Sequence, residues 1–315
     1  MVEITHYLQK NDVALPLPKD LSMSAFMHNI RAVFKEGRMI YLEDLSYEVK
    51  NASSNQTEKV LEDVNLEFAK GHVYAIVGAN GAGKSTLLDI ISGTKNPTAG
   101  YVKNDKQDIH HSRQSFLHYL EKVAYCIQNA EAAFFHKTVK EELLFSSQNP
   151  ELLGQLIKKY NLSELLELSP FQLSGGQKKR LLFVLNLLSE PSILLTDELT
   201  AGLDQKGKSI MMEEIISHKD ERATIMVTHN LEDALYYADN LIILSNNKVT
   251  FAGKTRAVIE DSTLLTSAGF QMPETFLLCQ QLIQSGIFKE GDYYLNSIEI
   301  AKKLLFQFKG EKSDE

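Results

Sequence analysis

At 315 residues the chain can hold one large domain or two modest ones, with ample material for a core. Its net charge of −8 gives no general attraction to nucleic acid, and its two cysteines, Cys126 and Cys279, lie far apart without metal spacing, as packed free thiols of a reducing compartment would. No apolar run approaches the roughly 20 residues of a membrane span, and the polar start at residues 1–6 lacks a signal-peptide core, so the chain is expected to be soluble and to meet a membrane only through a partner.

Within residues 1–38, Met23, Phe26, Met27, Ile30 and Phe34 recur at helical spacing after Asp20 and Ser22. An amphipathic helix docked on the chain's own surface is the expectation, with contact to a partner or a membrane as the alternative. Residues 45–49 alternate like a strand and carry Tyr47, and the polar tract 50–57 reads as a hairpin loop, so an antiparallel β region comes first. Residues 72–77 then form a short apolar run rich in β-branched and aromatic side chains, the composition of a buried parallel strand.

Directly after that strand stand Gly78, Ala79, Asn80, Gly81, Ala82, Gly83, Lys84, Ser85 and Thr86. This is the phosphate-binding pattern G-x-x-x-x-G-K-[ST]. Its glycines let the backbone curl until several N–H groups face one anion, and the helix expected over residues 84–91 adds the partial positive charge of its N-terminus. Lys84 would reach the β- and γ-phosphates of a nucleotide, and the Ser85 hydroxyl would ligate Mg²⁺. A glycine-rich turn before any helix lacks this strand, lysine and hydroxyl context.

Residues 123–127 read as another strand, followed by Gln128. Residues 129–172 form a helical insert, with apolar periods at 141–145 and 152–157. The run Ala132, Ala133, Phe134 and Phe135 is long for a surface loop and makes a candidate partner site centred on Phe134, although one of the two phenylalanines serves equally well as core. Ser174 is a good N-cap for the helical pattern that follows Gly175, Gly176 and Gln177, which makes a second anion site at a helix N-terminus. Within that helix, Lys178, Lys179 and Arg180 read as a solvated face.

Residues 192–196 form an apolar strand ending in Asp197 and Glu198, a carboxylate pair at the edge where open parallel sheets bind ligands. Asp197 would hold Mg²⁺ and Glu198 would polarise an attacking water as general base, the alternative being an acidic helix cap. A third buried strand at 224–227 ends in Thr228 and His229. Other histidines, among them His110, His111, His118 and His136, show no ligand spacing.

The run Leu173, Ser174, Gly175, Gly176, Gln177, downstream of the phosphate loop, resembles the signature of the ATP-binding cassette (ABC) ATPases. The resemblance implies an α/β fold: an ABC-type P-loop NTPase with a RecA-like, mostly parallel sheet, an antiparallel β subdomain, a helical insert and a small C-terminal helical region. It implies a cassette over residues 39–247, with 248–315 as the C-terminal region. Cofactors would be ATP and Mg²⁺, with Gln128 as the Q-loop glutamine at the metal site, His229 as the switch histidine on the γ-phosphate, Asp204 of the run Ala201, Gly202, Leu203, Asp204 as the D-loop acid, and Tyr47 as the adenine-stacking aromatic. In that architecture a chain's signature loop engages ATP on a second subunit, identical or paralogous, so two chains close on two nucleotides.

Gln128, Asn129, Glu131, Phe135, Thr138, Val139, Glu142 and Phe145 further resemble the Q-loop region of energy-coupling factor (ECF) transporter ATPases, and Leu264, Leu265, Ala268, Gly269, Phe270, Met272 and Pro273 resemble their C-terminal segment. Ala130 and Ala133 stand where that pattern usually has Pro and Gln, and Leu199 where Pro commonly follows the catalytic carboxylate. The implied activity is ATP hydrolysis coupled to uptake of a vitamin or transition-metal ion, at the cytoplasmic face of the cell membrane and through an integral membrane subunit. A conventional ABC importer ATPase and a soluble non-transport ABC ATPase are the alternatives.

Overall fold

A computed structural model describes residues 38–50, 57–105, 107–294 and 296–310 of the chain. The helix expected around residues 23–34 and the tip of the hairpin loop lie outside the described residues.

Two sheets carry the architecture. The first is antiparallel, in the order β2–β1–β4–β5, from β1 (Arg38–Lys50), β2 (Thr57–Ala69), β4 (Ala99–Asn104) and β5 (Gln107–Asp108). β1 pairs with β2 so that Lys50 faces Thr57, the two ends of the tract expected as a hairpin loop. The second sheet has the order β10–β9–β3–β8–β7–β6, built from β3 (Val73–Gly78), β6 (Val123–Cys126), β7 (Ile193–Asp197), β8 (Ala223–Val227), β9 (Asn240–Ser245) and β10 (Lys248–Lys254). All its neighbours run parallel except the β9–β10 hairpin at one edge.

Strands β3, β7 and β8 are buried at every position, which explains why they are predominantly apolar rather than alternating, with Thr196, Asp197 and Thr224 as the polar exceptions. Both faces of this sheet are covered, and successive side chains enter different cores. Val73, Ala75, Val77, Leu194 and Met226 belong to one core, shared with the helical insert and with α5 (Gly175–Leu187). Tyr74, Ile76, Ile193, Leu195, Ile225 and Val227 belong to the other, shared with the antiparallel sheet and with α1 (Lys84–Ile91).

α2 (Arg113–Leu120) precedes β6, and between β6 and α5 the chain forms α3 (Val139–Ser146) and α4 (Pro150–Lys159). Thr138 and Glu141 cap α3 reciprocally, and Asn149 with Pro150 starts α4, as short helices require when their first N–H groups lack partners. Tyr160 packs edge-on against Phe183 of α5, which fixes the insert to the sheet layer. The run at 132–135 divides sharply. Phe134 is only 5% exposed, sits in the first core and meets Phe171 edge-on, whereas Phe135 is 84% exposed. The expectation that centred a partner site on Phe134 is therefore corrected: the exposed aromatic of the pair is Phe135, and Phe145, whose ring lies against His136, is exposed as well.

Beyond the sheet, α6 (Gln205–Ser217) and α7 (Leu231–Tyr237) flank the first core, and α8 (Thr255–Glu260), α9 (Thr263–Thr266), α10 (Glu274–Gln284) and α11 (Ser297–Gly310) form a C-terminal helical region. There Cys279, Phe288 and Ile300 make a small core of their own. Cys126 and Cys279 are both buried free thiols. Among the described residues, no helix is long and apolar enough to cross a membrane.

Candidate functional site

Because β3, β6, β7 and β8 are parallel, their C-terminal ends share one edge. The register sets Asp197 beside Val227, Ile76 beside Val227, and Cys126 beside Thr196. The phosphate loop, Gln128, the Asp197–Glu198 pair and His229 all leave the sheet there, although more than 150 residues separate the first from the last in sequence.

The loop's glycines answer to contacts as well as to anions. A Cβ on Gly78 would lie 2.4 Å from the Leu244 carbonyl oxygen of β9, and one on Gly83 would lie 2.8 Å from the Val60 carbonyl oxygen. Gly81 and Gly83 also take positive φ, 81° and 95°, which only glycine adopts without strain. Lys84 opens α1, and its Nζ donates to the carbonyls of Gly78 and Ala79, both at 2.9 Å. Burial holds its pKa below the ordinary lysine value, opposed by the carboxylates of Glu198 and Asp197.

Asp197 ends β7. Burial pushes its carboxyl upward, and the Ser85 hydroxyl, which hydrogen-bonds it, pulls it back. Its Oδ1 is buried without a hydrogen-bond partner. The Glu198 backbone is left-handed, at φ 52°, and its N–H donates to the Val227 carbonyl at 3.0 Å. Its carboxylate pairs with Nδ1 of His229, whose side chain is largely exposed. Asn80, Gly81, Gly83, Lys84, Ser85, Thr86, Gln128, Asp197 and Glu198 line one open pocket of about 520 Å³, joined by Val60 and Val227.

The signature residues form a different pocket. Ser174 caps α5: its hydroxyl accepts the Gln177 N–H at 3.3 Å, while the Gln177 side-chain carbonyl accepts the Ser174 N–H at 2.8 Å. Asp204 caps α6, accepting the Gly207 N–H at 3.0 Å. Ser174, Gly175, Gly176, Gln177 and Asp204 line a cavity of about 610 Å³ that shares no residue with the phosphate-loop pocket. Gly176 lies under Leu203, where a Cβ would come within 3.4 Å.

Tyr47 enters neither pocket. It is half-buried against the second core, with Lys95 Nζ 6.0 Å from its ring centroid. The Lys178–Arg180 run is also not the solvated face its charge suggests. Lys178 pairs with Glu131, Lys179 donates to the carbonyls of Glu198 and Ala201, and Arg180 donates to the Tyr160 carbonyl. Val60 and Lys179 also line the two pockets, although no motif marks them. Val60 sits on a strand distant in sequence, and Lys179 is masked by two basic neighbours. A lysine two positions after the signature glutamine, within reach of a helix-facing turn, was the available signal.

The ABC transporter family model matches residues 61–201. The energy-coupling factor transporter ATP-binding protein EcfA2 of Geobacillus kaustophilus is 39% identical, over 74% of this chain and 85% of that protein. EcfA2 of Streptococcus pyogenes is 33% identical, over 79% of this chain and 92% of the relative. Among solved structures, cbiO1 from Clostridium perfringens, part of the ABC transporter complex cbiONQ, superposes with a TM-score of 0.61 at 26% identity, over 78% of this chain and all of that one. A dimeric ATP-binding cassette in a post-hydrolysis state with ADP and Pi superposes with a TM-score of 0.61 at 25% identity, over 69% of this chain and 99% of its own. With the site geometry and sequence similarity extending across most of both chains, the protein belongs to the energy-coupling factor transporter ATP-binding proteins, within the ABC transporter family.

Proposed function

We propose that this chain is an ATP-hydrolysing subunit of a membrane importer, which couples closure and reopening of a cassette dimer to uptake of a vitamin or transition-metal ion. It acts as a peripheral protein on the cytoplasmic face of the cell membrane, docked on an integral membrane subunit. The cassette comprises residues 39–247, with 129–172 as its helical insert and 1–38 as an N-terminal extension; of the stretch 248–315, expected to be helical throughout, residues 248–254 instead complete the second sheet as β10 and the helices begin at Thr255.

The observation that carries the reading is the division of the site into two pockets. Lys84, Ser85, Gln128, Asp197 and Glu198 converge in one, while Ser174, Gly176 and Asp204 line another. A complete ATP site then needs the phosphate loop of one subunit and the signature loop of the other. Binding energy from two nucleotides closes the dimer, and loss of the γ-phosphate reopens it.

Within the closed site, backbone N–H groups of residues 80–86 and the α1 N-terminus bind the phosphates, with Lys84 as the point charge. Tyr47 provides an aromatic face for adenine. Glu198 accepts a proton from the attacking water. His229, paired through Nδ1 with that carboxylate, steadies it and offers Nε2 to the γ-phosphate. The orphaned, buried Oδ1 of Asp197 and the neighbouring Ser85 hydroxyl make a hard-oxygen donor set that fits Mg²⁺, with Gln128 completing it. Bound there, the cation supplies charge neutralisation on the phosphates.

Glu198→Gln tests the assignment, because glutamine keeps the shape but accepts no proton. Steady-state hydrolysis should fall about 10²- to 10⁴-fold, while ATP binding persists and a closed dimer accumulates on gel filtration. Turnover near wild type would remove Glu198 from the general-base role.

A further inference from the structure

Lys179 lies on α5, five residues beyond the signature Ser174, and it spans the two pockets. It lines the signature pocket, while its Nζ donates to the carbonyl of Glu198 at 2.6 Å and to that of Ala201 at 2.7 Å. The Glu198 carbonyl accepts a second bond from the Ala201 N–H at 3.2 Å. Glu198 stands at φ 52°, a backbone region that residues with side chains hold only when their surroundings enforce it. Three restraints enforce it here: the N–H bond to the Val227 carbonyl and, on the carbonyl side, the Ala201 N–H and the half-buried ammonium of Lys179.

A cation on two carbonyls is a charge-assisted arrangement, stronger than neutral bonds of the same length. It is also mechanical. α5 starts at the signature loop, so a shift of that loop carries Lys179 with it, and Lys179 grips the peptide that aims the Glu198 carboxylate. The D-loop residue Ala201 is gripped by the same ammonium.

We propose that Lys179 is a positioning residue that ties the signature loop of this chain to the Glu198 carboxylate of the same chain. Seating of one ATP on the signature loop thereby aligns the base that acts on the other ATP. The inference rests on the two-subunit site proposed above.

Two mixed dimers test it, with phosphate release measured at saturating ATP. In the first, the partner subunit carries glutamine in place of its own catalytic glutamate, so all turnover comes from Glu198 of this chain. In the second, this chain carries Glu198→Gln, and turnover comes from the partner's site, which faces this chain's signature loop. Adding Lys179→Met should lower kcat roughly 10- to 100-fold in the first dimer, the cost of a slightly misplaced catalytic group, with KM for ATP nearly unchanged. The loss in the second dimer should be several-fold smaller. Lys179→Arg should restore most of the rate, since it keeps a cation within reach of both carbonyls. Equal losses in the two dimers, a change in KM alone, or no loss at all would overturn the proposal. If Lys179→Met fails to fold, Lys179→Gln, which retains one donor group, carries the same comparison. Reference dimers that bind ATP on each subunit yet show no ATP-dependent association of the two subunits on gel filtration would overturn the two-subunit site itself, and this inference with it.

Discussion

Phe134 and Phe135 are adjacent in sequence and chemically identical, yet the structure assigns them opposite duties, so a paired substitution separates packing from docking. Phe134, 5% exposed, fills the core beneath the helical insert, with its ring centroid 6.3 Å from that of Phe171. Truncating a buried Phe to Ala typically costs about 3–5 kcal/mol. With roughly 2–4 °C of melting temperature per kcal/mol for a domain of this size, Phe134→Ala should melt roughly 6–20 °C below wild type. Phe135 is 84% exposed, and Phe135→Ala should stay within about 0.5 kcal/mol of wild type.

Phe135→Asp should leave folding and basal ATPase intact while weakening assembly with the membrane subunit. A truncated aromatic anchor costs at least about 2 kcal/mol, or roughly 30-fold in Kd. Thermal unfolding, ATPase of the isolated chain and co-purification with the membrane subunit read the three effects independently. A Phe134→Ala protein that melts like wild type would refute the packing assignment. Undiminished assembly in Phe135→Asp would remove this face from the docking surface.

Other expectations follow from the same geometry. Lys84→Ala removes a charge held against the phosphates and should weaken ATP binding by the chain alone roughly 10- to 150-fold, the range for a hydrogen bond to a charged group, as read by titration calorimetry. Ser174→Arg should bind ATP nearly as well as wild type yet fail to form the ATP-dependent dimer on gel filtration; equal loss of affinity in both variants would argue against a site shared between subunits. Burial raises the pKa of both Cys126 and Cys279, so neither thiol should react with a maleimide at pH 8 until the chain unfolds. Rapid labelling of the native protein would place at least one of them at an accessible surface.

Much of this protein is legible in its sequence alone. The phosphate loop, the Asp197–Glu198 pair and the strands leading into them are local patterns. A parallel strand buried on both faces must be largely apolar, as residues 73–77, 193–195 and 225–227 are, and chemistry placed at the ends of such strands meets at one edge. The cap at Ser174 is equally local, since its hydroxyl satisfies the Gln177 N–H only three residues away.

What sequence could not decide was anything that depended on which distant segment lay opposite. Nothing in the order of two phenylalanines says which one turns inward; the helical insert and Phe171 decide that. The charges of Lys178, Lys179 and Arg180 fit a solvated helix face as well as a tethered one. Glu131, the Glu198 and Ala201 carbonyls, and the Tyr160 carbonyl become their partners only once α5 packs between the insert and β6. The separation of signature and phosphate loop into two pockets is likewise tertiary, because it is set by the rigid sheet and helices that hold them apart. A motif can name the atoms that meet an ATP, but only the packed layers determine whether one chain can bring them all to the same nucleotide.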